Sequence, residues 1–275
     1  MMNKLSDLVA GRELLVNLTL RELRSKYKRS VLGWAWSLAN PLASMLVFTI
    51  VFAVFLKIEP PVGDPSGLHN FALFLLCGLL PWNFFSNSVS SSIGVIIGNA
   101  GLVKKVFFPR SLLVFASVGA ATTSFLIELA VLGVALFVAG SFVLPWVPVL
   151  LVLVVLMVVF VSGVSLIFAA ANVYLRDVQH LVGVALQVWF YATPVVYPIS
   201  LVPEHLQVAG WSVPVRFLYG FNPLVGFVEA IRDAIYDRRF PGFGDFSYLL
   251  GVSVVVFLVG FGVFSRLERR MAEEL

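Results

Sequence analysis

Polar side chains recur at helical spacing inside two otherwise apolar segments of the sequence. The first series lies on one helical face and continues into two glycines: Asn83, Ser86, Asn87, Ser90, Ser91, Gly94 and Gly98. The second series ends in a carboxyl group: Ser117, Ala121, Ser124 and Glu128. An ionisable residue costs about 2.5–3.5 kcal/mol in a membrane span, so Glu128 is expected to face other helices or water. Two interpretations stay open: a functional contact in a polar pathway, or a hydrogen-bonded packing contact.

Residue patterns typical of enzymes are missing. The three histidines form no metal-spaced cluster, and neither a Gly-x-Ser-x-Gly elbow nor a plausible pair of carboxylates is present. The spacing of glycines and lysines near residue 100 does not fit a nucleotide-binding loop: Gly98, Gly101, Lys104 and Lys105. We therefore expect no catalytic site, no metal and no cofactor in this chain. Energy for uphill work would have to come from another subunit.

A short basic segment, residues 98–110, has the composition of a docking site. Its apolar residues repeat at helical spacing, and it combines two adjacent aromatic rings with lysines: Lys104, Lys105, Phe107, Phe108, Pro109 and Arg110. Aromatic anchors surrounded by charge suit a contact with another protein. The alternative is that the two phenylalanines dip into the lipid headgroup region. A second short loop, residues 172–180, offers Arg176 and Asp177, which could pair with each other or bind a partner.

The composition places the chain in a membrane. Hydrophobic residues make up 60% of the 275 residues and charged residues only 12%, with a mean hydropathy of +0.97. A spanning helix needs about 20 mainly apolar residues. We predict an all-α integral membrane protein whose six transmembrane helices cover about 33–56, 71–97, 112–139, 147–171, 179–199 and 247–265.

The distribution of basic residues predicts the orientation. With both termini inside, the outer side holds only five of the 19 Lys and Arg residues: Lys57, Arg216, Arg232, Arg238 and Arg239. Cytoplasmic segments retain basic residues, so both termini are expected in the cytoplasm. The first 30 residues are charged throughout, and we expect no cleavable signal peptide. The basic residues flank the spans, which favours anionic lipid headgroups over nucleic acid as their counter-charge.

An amphipathic helix is predicted before the first span. Within Leu5–Lys28 the apolar residues fall on one arc of the helix: Leu5, Leu8, Val9, Leu15, Val16, Leu20 and Leu23. We expect residues 1–30 to form a cytoplasmic interface helix, and residues 31–270 to form the transmembrane domain. The helix serves either as a simple membrane anchor or as a contact for a cytoplasmic partner.

The segment between spans five and six, residues 200–246, is external yet still apolar. Asn222 and Pro223 are typical of the start of a helix, here predicted over 221–237, with Arg232 on its polar face. Pro194 and Pro198 interrupt span five near its outer end. These features predict external helices that re-enter the outer leaflet.

Aromatic residues make up 14% of the chain and concentrate near span ends. Most are expected to form interfacial belts. Others would stack on sugar rings if they face a lumen. The predicted pathway comprises these rings together with the polar stripe: Trp34, Trp36, Asn83, Phe84, Asn87, Glu128 and Tyr191.

Several motifs in this order resemble the membrane subunit of type-2 ABC exporters, specifically the permeases of lipid-linked O-antigen, teichoic acid, capsule or galactan. The motifs are YKRSVLGWAWSLANP (27–41), LVKKVFFPR (102–110), YLRD (174–177), TPVVYP (193–198), Pro203-Glu204, Asn222-Pro223 and Arg232-Asp233. The likeness covers nearly the whole chain. The family usually has Tyr-Arg-Asp where this chain has Leu175 inserted, which puts the docking role of Arg176 and Asp177 in question.

The resemblance implies a homodimer in the bacterial inner membrane, paired with two copies of an ABC ATPase that binds ATP and Mg. The basic segment would be the coupling helix seated on that ATPase. A glycan linked to a polyprenyl diphosphate would pass outward through the channel. The alternatives are an exporter of drugs or small lipids, a stand-alone secondary transporter using Glu128, and a membrane transferase.

Overall fold

The computed structural model describes residues 11–27, 35–106, 108–208 and 211–274. Nearly all of them are helical. The helices are α1 (Arg12–Tyr27), α2 (Ala35–Phe48, continued by a π-helical segment Thr49–Phe55), α3 (Phe71–Ile93), α4 (Val95–Gly98), α5 (Ala100–Lys105), α6 (Ser111–Val138), α7 (Val147–Tyr174), α8 (Val178–Tyr191), α9 (Val215–Gly220), α10 (Pro223–Arg232, continued by a π-helical segment Asp233–Asp237), α11 (Phe243–Leu267) and α12 (Met271–Glu274). Short 3₁₀ turns cover Leu144–Trp146 and Ile199–Leu201.

Five helical segments in the described residues are long and apolar enough to cross a membrane. They cover Leu38–Phe55, Phe71–Ile93, Ser111–Val138, Leu144–Tyr174 and Phe243–Leu267. Five of the six predicted spans therefore have a helix of sufficient length, and the prediction of a helical membrane protein is confirmed. The remaining predicted span, 179–199, is helical only as far as Tyr191. Its last third is irregular, because Pro194 and Pro198 cannot continue a helix.

The bundle has two apolar clusters, one toward each end. The larger cluster centres on α3, whose side chains pack against α6, α7, α8 and α10. The smaller cluster joins α4, α5, the start of α6 and the ends of α7 and α11, with Leu18 of α1 and Met271 of α12. The smaller cluster adjoins three segments with basic residues: residues 99–110, which we call the basic loop, the loop 175–177, and Arg266–Arg270. We call this end of the bundle the basic end.

Helices α7 and α11 cross in close contact because each has a glycine at the crossing point, Gly163 in α7 and Gly260 in α11. A Cβ atom added to Gly260 would lie 2.2 Å from the carbonyl oxygen of Gly163, and one added to Gly163 would lie 2.6 Å from that of Val256. Small residues allow two helix backbones to approach in a membrane, where dispersion contacts replace the hydrophobic effect.

The described part of the amphipathic helix, α1, packs on α6. Leu18 and Leu23 are buried, and Arg21 donates a hydrogen bond of 2.7 Å to Asn99 Oδ1. The packed face differs from the predicted arc: Leu18 was not part of that arc, whereas Val16 and Leu20 belong to it and are exposed. The helix therefore has two apolar faces, one against the bundle and one free. The predicted residues Leu5, Leu8 and Val9 lie outside the described residues.

The segment between α8 and α11 contains a feature that the sequence did not predict. Leu206–Val208 and Trp211–Val213 form a two-stranded antiparallel ribbon, β1–β2, in which Leu206 pairs with Val213. The ribbon precedes α9 and α10. The predicted helix over 221–237 is confirmed, with Asn222 as its N-cap.

Candidate functional site

The basic loop presents charge while it packs on the bundle. In α5, Val103 is buried in the smaller cluster, whereas Lys104, Lys105 and the following Val106 are exposed. Phe108 and Pro109 are half-buried. Phe107, predicted as a docking residue, lies outside the described residues. The two lysines thus project from a short helix that is anchored to the bundle by its opposite face.

Arg110, the last residue of the predicted docking set, is engaged within the chain. Its backbone N–H donates to Glu268 Oε1 over 2.8 Å, and its guanidinium donates to the Glu268 carbonyl oxygen. Tyr174 makes a parallel contact, its hydroxyl donating to the carbonyl oxygen of Leu267 over 2.8 Å. Arg110 therefore ties the basic loop to the end of α11, a role that its sequence context did not reveal.

The second predicted loop lies at the same end of the bundle. Leu175, Arg176 and Asp177 are all exposed, and no ion pair between Arg176 and Asp177 is found among the described residues. The adjoining Val173 packs in the same cluster as Val103. Two exposed polar loops, separated by two spans in the sequence, thus lie at the same end of the bundle.

Helix α3 is the most buried span, yet it leaves a polar stripe open. Of the 18 consecutive residues that form its most apolar part, 78% are buried. The uncovered positions are polar: Asn83 and Ser86 are half-buried, and Asn87, Ser90 and Ser91 are exposed. The hydroxyls of Ser91 and Ser117 lie 3.0 Å apart, which joins this stripe to that of α6. Glu128 is half-buried farther along α6.

The predicted aromatic residues of the pathway lie in different surroundings. Phe84 is buried and stacks on Phe125 with 4.7 Å between ring centroids, so it is a core residue here. Trp36 and Tyr191 are exposed on α2 and α8. Trp34 lies outside the described residues. Among the described aromatic residues of this set, Trp36 and Tyr191 are the ones that are exposed.

At the end opposite the basic end, Asn222 holds the irregular backbone that follows α8. Its Oδ1 accepts from Leu224 N at 3.1 Å and from Trp189 Nε1 at 3.0 Å. Its Nδ2 donates to Thr193 Oγ1 at 3.1 Å and to Ala192 O at 3.3 Å. The N-cap of α10 therefore also supplies partners to the point where α8 ends.

Arg232 holds the next part of the same segment. It is 3% exposed, and its guanidinium donates to the carbonyl oxygens of Pro194 and Val195, each over 2.7 Å. Glu229 balances the charge, with Oε1 2.8 Å from Arg232 Nη1. Buried charges require such pairing because desolvation is costly. Pro194 and Pro198 are buried, and Pro223 is half-buried.

Two residues of α3 shape the site of the guanidinium. Arg232 Cζ lies 3.9 Å from the ring centroid of Phe74, a cation–π contact. A Cβ added to Gly78 would lie 2.7 Å from Arg232 Nη2. The glycine therefore provides the space that the guanidinium fills. Asn222, Arg232 and their partners 189–195 together form a unit that we call the outer clamp.

Beside the outer clamp, the end of α10 binds the loop between α2 and α3. The hydroxyl of Tyr236 lies 3.2 and 3.1 Å from the carbonyl oxygens of Pro61 and Leu68, which share its single hydrogen. Asp237 lies 3.4 Å from the guanidinium of Arg239. Burial raises the pKa of the Asp237 carboxyl to about 6, although Arg239 acts in the opposite direction.

This arrangement has the features of a membrane permease: a charged surface at one end, a polar stripe along the bundle and, at the other end, irregular backbone held by Asn222 and Arg232. The sequence profile of the ABC-2 type transporter family matches residues 13–236. The chain belongs to the ABC-2 type transporter family. Members are transport permeases, and this chain is accordingly a multi-pass membrane protein with a transport role.

Individual relatives cover nearly the full length. The O-antigen export system permease protein RfbA of Klebsiella pneumoniae is 31% identical over 264 residues, covering 96% of this chain and 95% of the relative. The protein of the same name from Myxococcus xanthus is 30% identical over 275 residues, covering both chains completely. The polysialic acid transport protein KpsM of Escherichia coli is 25% identical over 270 residues, covering 92% of this chain and 93% of the relative. The predicted resemblance is confirmed.

Sequence reasoning missed several contacts that shape the site. Gly78 and Gly163 stand in apolar runs, where a glycine gives no indication of which neighbour it admits. The pairing of Arg110 with Glu268 joins residues far apart in the chain. One contact could have been predicted from the sequence, that of Arg232. A basic residue in a largely apolar helix needs polar partners, and the proline-interrupted segment before it has carbonyl oxygens that no helix uses.

Proposed function

We propose that this chain is the permease subunit of an ATP-driven exporter that moves a polysaccharide out of the cytoplasm. The observation that carries the proposal is the whole-length likeness to permeases named for O-antigen export. A relative named for polysialic acid transport supports the same class of cargo. The substrate is a glycan linked to a polyprenyl diphosphate, and the chain lies in the bacterial inner membrane.

The energy comes from a separate ABC ATPase, present in two copies, which holds ATP and Mg. Its docking surface lies at the basic end and comprises the half-buried Phe108 together with five exposed residues: Lys104, Lys105, Val106, Arg176 and Asp177. Phe107 and Pro109 complete this surface in the proposal. Arg110 contributes indirectly, because its contacts with Glu268 fix the loop to the end of α11.

The permease acts as a homodimer. Only 6% of the residues in the span Leu38–Phe55, which includes most of α2, are buried. In α8 only Val182 and Leu186 are buried. These two helices therefore offer apolar surface to a second copy, with Trp36 and Tyr191 on it. The polar stripe of α3 faces the pathway between the two copies, where Asn83, Asn87 and Glu128 contact the glycan.

Span five, which brings the number of crossings to six, consists of α8 and the irregular segment up to Pro198, residues 178–198. Helices α9 and α10 then re-enter the outer leaflet. With six crossings, both termini are cytoplasmic, residues 1–30 form the interface helix and residues 31–270 the transmembrane domain. Irregular backbone at membrane depth must have its polar groups satisfied by protein, and the bonds of Arg232 to Pro194 and Val195 support this arrangement.

Reconstitution tests the proposed function. Proteoliposomes would contain the permease with an ABC ATPase subunit from the same organism, and a labelled polyprenyl-diphosphate-linked glycan would be supplied on the ATPase side. We expect movement of the glycan only when both subunits and ATP-Mg are present. A Walker-motif variant of the ATPase is the matched control. Directional movement by the permease alone would contradict the proposal.

The pathway is tested separately with Glu128→Gln, which removes the charge and keeps the shape. We expect the rate of glycan transport to fall at least about tenfold while the protein inserts and melts as before, because intramembrane ionisable residues are kept for function. Thr123→Ala serves as the control, because Thr123 lies on the same helix outside this polar series and its hydroxyl donates to the helix's own Gly119 carbonyl oxygen. Normal transport by Glu128→Gln would make Glu128 a packing residue.

A further inference from the structure

A groove on α11 at the basic end is not used by the proposed function. It has a volume of about 710 Å³. Its described walls are apolar toward the middle of the span and basic toward the helix end: Leu258, Val259, Gly262, Val263, Arg266 and Arg269.

The spacing of these residues makes the groove a continuous track along one helix face. Leu258, Gly262 and Arg266 follow one another at four-residue intervals, so each is turned only about 40° from the last. Leu258 and Arg266 lie about 12 Å apart along the axis, comparable to the depth of one leaflet, about 15 Å. A Cβ added to Gly262 would meet no atom within 4 Å. The middle of the track is therefore open.

Two guanidinium groups lie at the end of the track. Arg266 and Arg269 are exposed, and neither side chain takes part in an ion pair or hydrogen bond among the described residues. A planar guanidinium with several donors suits the oxygens of a phosphate. A phosphate ion by itself would leave the apolar track unused. The ammonium group of a zwitterionic headgroup would be repelled by the same two guanidinium groups.

We propose that this groove binds an anionic glycerophospholipid such as phosphatidylglycerol. One acyl chain lies along Leu258, Gly262 and Val263, and the phosphate lies between Arg266 and Arg269. Basic pockets beside membrane spans are a recurrent form of anionic-lipid site. The site is distinct from the proposed docking surface of Lys104 and Lys105, and it does not depend on the identity of the cargo.

Native mass spectrometry of the detergent-solubilised protein, titrated with phosphatidylglycerol or phosphatidylethanolamine, tests the site. Each basic residue near an anionic surface strengthens binding about fivefold. Arg266→Gln combined with Arg269→Gln is therefore expected to weaken phosphatidylglycerol binding about 25-fold, with little change for phosphatidylethanolamine. Arg270→Gln is the matched control, since Arg270 is exposed beside Arg269 and is not among the described residues lining the groove.

Filling the groove provides a second test that does not alter charge. Gly262→Leu should displace the acyl chain and reduce phosphatidylglycerol binding at least about tenfold. Gly251→Leu, on the same helix, is the control, because a Cβ at either glycine meets open space and both variants should retain the melting temperature of the parent.

Three results would overturn the lipid assignment. The first is equal binding of the two lipids by the parent protein. The second is undiminished phosphatidylglycerol binding in both the Arg266→Gln/Arg269→Gln and Gly262→Leu variants. The third is displacement of the lipid by inorganic phosphate at equal concentration, which would show that the two arginines recognise phosphate without the track.

Discussion

The hydrogen-bonded polar side chains of the outer clamp are buried or half-buried, whereas most charged side chains at the basic end are exposed. In the outer clamp, Arg232 is buried and bonded to two carbonyl oxygens, and Asn222 uses both its oxygen and its nitrogen. At the basic end, Lys104, Lys105 and Arg176 are exposed. The difference follows from the solvent. Buried backbone that has left a helix has no water to bond and needs donors from the protein, whereas exposed charges are hydrated until a partner displaces the water.

The comparison predicts that charge changes at the outer clamp affect folding, while those at the basic end affect association. Arg232→Leu leaves two carbonyl oxygens and Glu229 without their donor. Breaking a buried pair of this kind costs about 3–5 kcal/mol, so we expect a large loss of folded protein, measured by thermal unfolding in detergent.

Arg216→Leu is the control for that prediction. Arg216 lies on the same external segment, but its side chain is 41% exposed and 3.6 Å from Glu204. Surface pairs contribute about 0–1 kcal/mol, and the melting temperature should hardly change. If both variants were equally stable, the guanidinium of Arg232 would not brace the segment.

At the basic end, the double change Lys104→Glu and Lys105→Glu should weaken binding of the ATPase subunit by about 30- to 100-fold, since charge reversal places like charges together across an interface. Thermal stability should stay within about 0.5 kcal/mol, as is usual for exposed positions. The measurement is copurification combined with unfolding, and Lys57→Glu, an exposed lysine remote in sequence, is the control. Unchanged copurification would remove these lysines from the docking surface.

A smaller effect is expected at Asn222. Asn222→Ala removes the N-cap of α10 and the partners of Trp189 and Thr193 together. Loss of an N-cap costs about 0.5–2 kcal/mol. Because the bonds to Trp189 and Thr193 are lost as well, we expect a cost toward the upper end of this range. Asn222→Asp separates the two contributions, because it keeps the acceptor for Leu224 N and loses the Nδ2 donor. Equal stability of Ala and Asp variants would mean that the cap itself contributes little.

The smallest effect concerns pH at the neighbouring loop. Because burial raises the pKa of Asp237 to about 6, the protonated carboxyl is favoured in the folded state. Its contribution to stability is therefore full below its unfolded pKa, about 3.9, and is lost as the pH rises through about 6. The protection of residues 61–68 against hydrogen exchange, corrected for the intrinsic pH dependence of amide exchange, should decrease over this range. Asp237→Asn should abolish that dependence, and an unchanged pH profile in this variant would exclude Asp237 as its source.

Much of the architecture was predictable because it depends on local composition. Long apolar runs specify spanning helices wherever they lie, and five of the six predicted spans have matching helices. Asn222-Pro223 predicted a helix start because capping depends on neighbouring residues alone. Phe84 shows the limit: its type and place near polar residues suited a pathway, yet it stacks on Phe125 inside the bundle.

The amphipathic helix shows a similar limit. Periodicity located α1, but it could not tell which apolar residues face the bundle. Leu18 is buried and Val16 is exposed because the position of α6, and not the helix alone, decides which side is covered.

By itself the sequence determined that the chain lies in a membrane, where five of its helices run, where its charges concentrate and which family it belongs to. All of these follow from residue type and short-range order. Only the tertiary structure decided that Gly78 makes room for Arg232, that Gly163 meets Gly260, and that Arg110 is bonded to Glu268. Such contacts join residues far apart in the chain, and they are set by how the helices pack.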